Sequence, residues 1–313
     1  MKKVFIDGSA GTTGLRIRER LSARKDLELI TLAEEVRKDP LARKEALNAA
    51  DVAFLCLPDA AAIEAAAMVE NPETVVIDTS TAHRCNPDWT YGFPEIQLST
   101  LNSKLSTSAK RIANPGCHAS GFIALVAPLV QKGLLAPSAA LSAFSLTGYS
   151  GGGKKMIAEY EGEKVGGCEG EKAGGRQYAL GQVHKHLPEM VKYCGLEKAP
   201  VFSPIVVPHL SGMEVTVMLN GGDLAAIKEC YREFYGESTG LVRFSEALDD
   251  GGFISSAALS GRDDMLVGAY GNDERIILVS LFDNLGKGAS GAAIQNMNLA
   301  LGCEEREGLV VSR

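Results

Sequence analysis

Apolar positions in the first third of the chain follow two rhythms. Short unbroken apolar runs occur at Lys3 to Ile6, Leu27 to Leu32, Val52 to Leu57 and Val75 to Asp78. Between them lie stretches with helical spacing: Gly14 to Ala23, with Leu15, Ile17 and Leu21 on or near one side, then Ala42 to Ala50 and Ala60 to Val69. Apolar runs this short read as strands buried on both faces, and strand–helix alternation builds a parallel sheet covered by helices on both sides. The rhythm changes after residue 116. The alanine-rich stretch Ala119 to Leu135 predicts a helix that Pro128 kinks or divides. Pro137 to Thr147 predicts a strand, Gly148 to Arg176 a long Gly- and Lys-rich loop, Met213 to Leu219 an antiparallel strand, and Arg275 to Phe282 a further strand. Ala289 to Leu301 predicts a last helix, closed by Gly302.

A length of 313 residues is enough for two cores, and 45% hydrophobic with 23% charged residues is ordinary for a globular protein. The net charge of −7 argues against nucleic acid as a partner, because phosphate backbones need a basic surface. A small anionic substrate asks only for a local cationic pocket. No run of about 18 apolar residues spans a membrane. The opening MKKVFIDGS enters a strand directly and reads as carrying no secretory leader. Seven scattered cysteines with no CxxC spacing fit reduced thiols in the cytoplasm, and no metal is expected.

Three clusters carry chemistry. Gly8-Ser9-Ala10-Gly11-Thr12-Thr13-Gly14 follows the first strand and opens the first helix. Glycines there let the backbone turn tightly and approach a pyrophosphate seated on the helix N-terminus. The usual carboxylate for a ribose hydroxyl is missing from the tip of the second strand, which ends Thr31-Leu32-Ala33 before Glu34 and Glu35. Thr12 and Thr13, with Arg37 and Lys38 close by, tilt the cofactor to NADP, although the two cations also read as a solvated turn. The second cluster is Asn114-Pro115-Gly116-Cys117-His118. Pro115 and Gly116 end what precedes them, so Cys117 stands at or just before a helix N-terminus, where unpaired N–H groups and the dipole favour the thiolate. A buried, inert cysteine is the alternative. The third is His184-Lys185-His186-Leu187-Pro188-Glu189, with a helix from Glu189 to Tyr193. Its histidines are expected on an extended segment, both facing one way, with one serving Cys117 as acid and base. An exposed loop histidine is the alternative here. A rival phosphate loop, Gly148 to Gly153-Lys154, fails where it needs a hydroxyl for magnesium, because Lys155 stands there.

Together these residues resemble the N-acetyl-gamma-glutamyl-phosphate reductase family in its short bacterial form, within the wider group that contains aspartate-semialdehyde dehydrogenase. The resemblance runs through GSAGTTG, CLPDAA (56–61), DTSTAHR (78–84), YGFPE (91–95), NPGC (114–117), SGGGK (150–154), HKHLPE (184–189) and DNLGKGASGAAIQNMN (283–298). It implies Cys117 as nucleophile, His186 as acid and base, and Glu189 at the active site. It implies substrate contacts from Ser80, Arg84, Asn114, Ser150 and His184. It implies an NADP site formed by Gly8, Ser9, Gly11, Thr12, Thr13, Gly14, Leu57 and Pro58, and again by Asn284, Gly286 and Lys287. Three departures from the pattern stand out: Ser120 for a threonine, Ala82-His83 for Asp-Phe, and Gly152 for another small residue.

The fold so implied is α/β. A Rossmann-like NADP-binding domain takes residues 1–116 with 284–313, and a mixed α+β catalytic domain takes 117–283, the last helix returning to the first domain. The implied reaction is NADPH-dependent reduction of an acyl phosphate with release of inorganic phosphate, through a cysteine thioester, in arginine biosynthesis. A homo-oligomer, dimer or tetramer, is the expected assembly. Two alternatives remain at this level: an aspartate-semialdehyde dehydrogenase, and a non-catalytic NADP-binding redox sensor.

Overall fold

The computed structural model describes residues 1–96, 109–162, 174–236 and 240–311. The chain begins with β1 (Lys2–Asp7), α1 (Thr12–Leu21), β2 (Leu27–Ile30), α2 (Pro40–Ala49), β3 (Val52–Leu55), α3 (Asp59–Ala67), β4 (Val75–Asp78), β5 (Thr90–Tyr91) and β6 (Arg111–Ala113). It continues with α4 (Cys117–Gln131), β7 (Ser142–Gly148), α5 (Gly153–Glu161), β8 (Arg176–Gln177), α6 (Leu187–Cys194), β9 (Val201–Val207), β10 (Met213–Asn220), α7 (Leu224–Tyr235), β11 (Val242–Phe244), β12 (Met265–Asn272), β13 (Arg275–Phe282) and α8 (Gly291–Leu301). Two units result: Met1–Pro115 with Ala289–Leu309, and Gly116–Gly288 with the residues from Val310 onward.

The first unit holds a sheet in the order β2-β1-β3-β4-β6-β5, every pair parallel. Period-two alternation explains how both faces are covered. Val4 and Ile6 point into one apolar cluster with Ile17, Leu21, Ile294 and Met297, while Phe5 points into another with Leu47, Ala53 and Leu55. The chain runs from β1 outward to β2, then crosses back to β3 on the other side of β1. The switch between β1 and β3 opens a crevice at the carboxyl ends of those strands, which is where such sheets bind ligands. The residues that follow β1 and β3 are Gly8 and Cys56-Leu57-Pro58.

The second unit is a seven-stranded mixed sheet in the order β11-β12-β13-β10-β7-β9-β8. β7 and β9 are parallel, as are β11 and β12; the other pairs are antiparallel. The nearly all-apolar α4 lies on this sheet. Gly121 makes the close approach feasible, since a Cβ there would stand 2.5 Å from Val215 Cγ2 and 2.8 Å from Phe282.

Pro128 does not divide α4, which runs unbroken past it. A proline in a helix leaves the carbonyl four residues back without its donor and crowds that turn. Here Tyr235 Oη donates to the Ala124 carbonyl at 2.8 Å, and Tyr231 Oη donates to the Leu125 carbonyl at 2.6 Å. Both tyrosines come from α7, so a distant element supplies the donor that the Ala124 carbonyl lacks.

Other expectations also need correction. The strand placed at Pro137 to Thr147 starts at Ser142, because Ala136 to Ala139 form a turn. The supposed loop from Gly148 begins instead with a 3-10 turn at Tyr149–Gly152 and the helix α5. Its glycines concealed the run Lys154 to Glu161, whose Met156 and Tyr160 pack with Tyr149, Tyr178 and Val206. Residues 163–173 of that loop, Cys168 among them, lie outside the described residues. The last helix begins at Gly291 rather than Ala289, after a wider turn at Gly286–Ser290. Gly302 closes it with φ +70°, a conformation that favours glycine.

Candidate active site

In the first unit the glycine loop is shaped by backbone contact. Gly8 has φ +87°, and a Cβ there would lie 2.2 Å from the Cys56 carbonyl oxygen and 3.2 Å from Leu57 Cδ2. A Cβ on Gly14 would lie 2.5 Å from the Gly8 carbonyl oxygen. Gly11 caps α1 with no side-chain hydrogen bond and no acid in the first turn. Pro58 caps α3, also without a side-chain hydrogen bond, but with Asp59 in the first turn. The leading N–H groups of α1 therefore face outward with no carboxylate to take them. Thr12 Oγ1 is buried and has no hydrogen-bond partner among the described residues. A cradle with no room for a Cβ, a bare helix N-terminus and an orphaned hydroxyl fit a pyrophosphate. Ser9 and Thr13 stand in the same loop, half-exposed. Arg37 is spent on Glu34, 2.7 Å away, which favours the surface-turn reading of that pair of cations.

Gly8→Ala is expected to destabilise the protein by about 2 kcal/mol or more, since it combines a left-handed φ with a backbone clash. NADPH binding should weaken in parallel. Thermal melting and a cofactor titration check both; an alanine variant with unchanged melting and affinity contradicts the geometry.

At the end of β4, Asp78 is fully buried and collects three partners. It accepts from Ser80 N at 2.9 Å and Ser80 Oγ at 2.7 Å, and His83 Nδ1 lies 2.6 Å away. His83 stacks on Trp89 with ring centroids 4.0 Å apart. Arg84 is buried and donates to the carbonyls of Asn114 and Thr79, each at 2.9 Å. Asn114 accepts from Asn296 Nδ2 at 3.0 Å and donates to the Ala289 carbonyl at 3.1 Å. Ser80, Arg84 and Asn114 thus belong to one hydrogen-bonded knot of the first unit. His83, where the resemblance has a phenylalanine, both stacks on Trp89 and bonds Asp78.

In the second unit Cys117 is the first residue of α4, with Gly116 as its N-cap. Glu189 Oε2 accepts from Gly116 N at 3.0 Å, a buried carboxylate holding the turn just ahead of the cysteine. Ser120 Oγ donates back to the Gly116 carbonyl at 3.0 Å. A Cβ on Gly288 would lie 2.9 Å from Cys117 Cβ, so only glycine fits beside the cysteine there. His186 is not on extended backbone, so the two histidines do not share one extended segment. His186 is the N-cap of α6 with φ −87° and ψ −9°. The turn is closed by Leu187 N donating to the His184 carbonyl and by His186 N donating to His184 Nδ1 at 3.1 Å. Their rings still meet, edge to face, at 4.7 Å.

Sequence reasoning overlooked His118. It is buried beside Cys117, with Nδ1 2.8 Å from Ser145 Oγ and Nε2 2.7 Å from Tyr178 Oη. Its ring lies 5.2 Å from His184, 5.5 Å from His186 and 5.4 Å from Phe202. Burial, followed by repulsion from His184, pushes the His118 imidazole down to about 3. A polar side chain directly after a candidate nucleophile was the available signal; nothing local linked it to Ser145 or Tyr178. Asn284 bridges two turns, its Oδ1 accepting from Gly212 N and its Nδ2 donating to Ser150 Oγ, both at 3.0 Å. A Cβ on Gly286 would meet the Arg262 carbonyl oxygen at 1.8 Å, and Lys287 beside it is buried.

Two family models match. One describes the semialdehyde dehydrogenase NAD binding domain and covers residues 3–104; the other describes the semialdehyde dehydrogenase dimerisation domain and covers residues 117–284. The N-acetyl-gamma-glutamyl-phosphate reductase of Chelativorans sp. (strain BNC1) is 44% identical over 312 residues, covering 96% of this chain and 98% of that protein. The protein of the same name from Burkholderia lata is 42% identical over 314 residues, with 96% and 97% covered. Among solved structures, aspartate semialdehyde dehydrogenase II from Vibrio cholerae aligns with TM-score 0.71 at 18% identity, covering 96% of this chain and 99% of that one. The Candida albicans aspartate semialdehyde dehydrogenase with NADP aligns with TM-score 0.65 at 17% identity, covering 96% and 99%. At those identities the likeness is one of fold.

Proposed function

The chain belongs to the N-acetyl-gamma-glutamyl-phosphate reductases of the semialdehyde dehydrogenase family, and on that premise we propose how its residues divide the work. The reaction is reduction of N-acetyl-gamma-glutamyl phosphate to N-acetyl-glutamate semialdehyde and phosphate, a step of arginine biosynthesis. The observation that carries the residue assignment is Cys117 at the head of a buried helix, its N-cap held by Glu189 and its flank kept open by Gly288. Cys117 as thiolate attacks the acyl carbon and phosphate leaves, giving a thioester. This divides one difficult step into two easier ones. Bound NADPH supplies the hydride that takes the thioester to the aldehyde level. N–H groups at the start of α4 stabilise the oxyanion, and His186 protonates it as an acid, then takes that proton back as a base when the thiohemiacetal collapses to aldehyde and thiolate.

The glycine loop with Thr12 and Thr13 holds the cofactor's pyrophosphate, with Leu57 and Pro58 as neighbours. Lys287 is assigned to the cofactor as well, with Asn284 and Gly286 shaping its turn. Ser80, Arg84, Asn114, Ser150 and His184 are assigned to the substrate.

The protein works as a homo-oligomer, and the face of the second sheet turned away from α4 supports self-association. Val201, Ser142, Met218 and Ile277 stand in one row across four strands, and the three apolar ones are exposed. No helix among the described residues is long and apolar enough to cross a membrane. A cytoplasmic location fits the biosynthetic role.

Assayed in reverse with NADP and phosphate, the enzyme is expected to oxidise N-acetyl-glutamate semialdehyde and to ignore aspartate semialdehyde. Without phosphate the reaction should stop after about one NADPH per site, because the thioester has no acceptor. Preference for aspartate semialdehyde overturns the substrate; steady turnover without phosphate overturns the thioester route.

A further inference from the structure

β8 pairs with β9 over a short ladder. Arg176 is opposite Val206 and Gln177 opposite Ile205, and Tyr178 N then donates to the Pro204 carbonyl at 3.0 Å. Backbone groups alternate sides along a strand, so Phe202 presents its N–H and carbonyl to the same edge as Pro204. Pro204 has no N–H to give, and the chain turns away from β9 after Tyr178. Phe202 is buried, where an unpaired peptide group is costly.

Gln182, a surface residue, supplies what is missing. Its Oε1 accepts from Phe202 N at 2.8 Å, and its Nε2 donates to the Phe202 carbonyl at 2.9 Å. A primary amide offers the same donor and acceptor as a peptide group, so one side chain stands in for the next residue of a strand. Reaching that place takes a tight return. Ala179 has φ +53° and Gln182 φ +56°, the two non-glycine residues with positive φ among the described residues. Gln182 N donates to the Ala179 carbonyl at 3.0 Å and closes the turn. Left-handed backbone is unfavourable for a residue with a side chain and persists where its surroundings over-determine it. Apolar packing does not do so here, because Leu180 and Val183 are 72% and 86% exposed. The two amide bonds to Phe202 do.

The clamp adjoins the candidate site. The Phe202 ring lies edge to face with His184, centroids 5.4 Å apart, and with His118 at the same distance. The Tyr178 ring is 5.7 Å and the His186 ring 4.7 Å from His184. Gln182 thus fixes the aromatic wall against which His184 packs, and it is tied to His184 along the chain through Val183 alone. We propose that Gln182 is a positioning residue: its amide, in place of a peptide group, fixes Phe202 and the strained turn so that the His184 ring is held in a single orientation. Its consequence for the reaction rests on the assignment of His184 to the substrate.

The orientation is read first without substrate. In proton–nitrogen spectra of histidine-labelled protein, the His184→Asn variant identifies the His184 signals. Gln182→Ala should shift or broaden those signals and leave those of His83, in the first unit, in place. Gln182→Glu keeps the size but turns an oxygen toward the Phe202 carbonyl, and should act like Gln182→Ala. Kinetics then connect the clamp to the reaction. In the reverse assay Gln182→Ala should raise KM for N-acetyl-glutamate semialdehyde about 5-fold, with kcat and NADP affinity nearly unchanged, the signature of lost binding rather than lost chemistry. His184→Asn should raise the same KM, and the double variant no further, because both changes act through one ring. Unmoved His184 signals in both Gln182 variants overturn the proposal. So does a Gln182→Ala variant that melts lower with its KM unchanged while that of His184→Asn rises, and so does an additive double variant. If His184→Asn leaves KM unchanged while Gln182→Ala still moves the His184 signals, the clamp stands and the assignment of His184 to the substrate falls.

Discussion

Cys117→Ala is expected to lower kcat by about 10⁴-fold or more while NADPH still binds, because it removes the atom on which the acyl group is carried. The cofactor cradle at Gly8 to Gly14 is built from other residues and needs no thiol. The remaining cysteines supply the control. Burial pushes Cys56 up to about 12 and Cys230 up to about 11, and carries Cys194 well above its ordinary value. Near neutral pH these three are almost wholly protonated and slow to alkylate. Cys117 opens a helix that carries no acid in its first turn. Peptide mapping after brief iodoacetamide treatment should find Cys117 labelled first, ahead of the part-exposed Cys85 and Cys303. An active alanine variant, or even labelling of all these thiols, removes Cys117 from the mechanism.

His186→Asn should reduce turnover by about 10² to 10⁴, the usual range for an acid–base group, and His184→Asn should cost much less. The structure gives a reason for the asymmetry. His184 Nδ1 already accepts from His186 N, so that nitrogen is engaged in holding the turn. An asparagine at 184 still offers an acceptor for that bond. His186 caps α6, and its ring closes the same cluster from the other side. Single-turnover measurements of thioester formation and of hydride transfer separate the two steps, and both should slow in His186→Asn. A larger loss at 184 than at 186 exchanges the two roles.

Much of the fold was legible because local rules and tertiary packing agreed. Val75–Asp78 and Arg275–Phe282 appear at the positions their patterns predict. Buried strands and the apolar α4 have no competing conformation that would hide those side chains. Expectations failed where long-range contacts outweighed local signals. Pro128 is tolerated because Tyr235, more than 100 residues away, donates to the Ala124 carbonyl it frees. The glycines around Gly148 to Gly153 suggested a loop, yet α5 forms because Tyr160 stacks on Tyr149 at 5.0 Å.

The same division holds for the candidate site. By itself the sequence determined the α/β class, the glycine cradle, the cysteine at a helix start and the family. Each is a matter of backbone conformation or order along the chain, where neighbours in sequence are neighbours in space. Tertiary structure alone decided that Glu189 grips the N-cap of Cys117, that Gly288 must lack a side chain, and that Ser145 and Tyr178 converge on His118. Those are contacts between elements distant in sequence. Hydrogen-bond direction and van der Waals exclusion act over a few ångströms in space, and no periodicity along the chain encodes them.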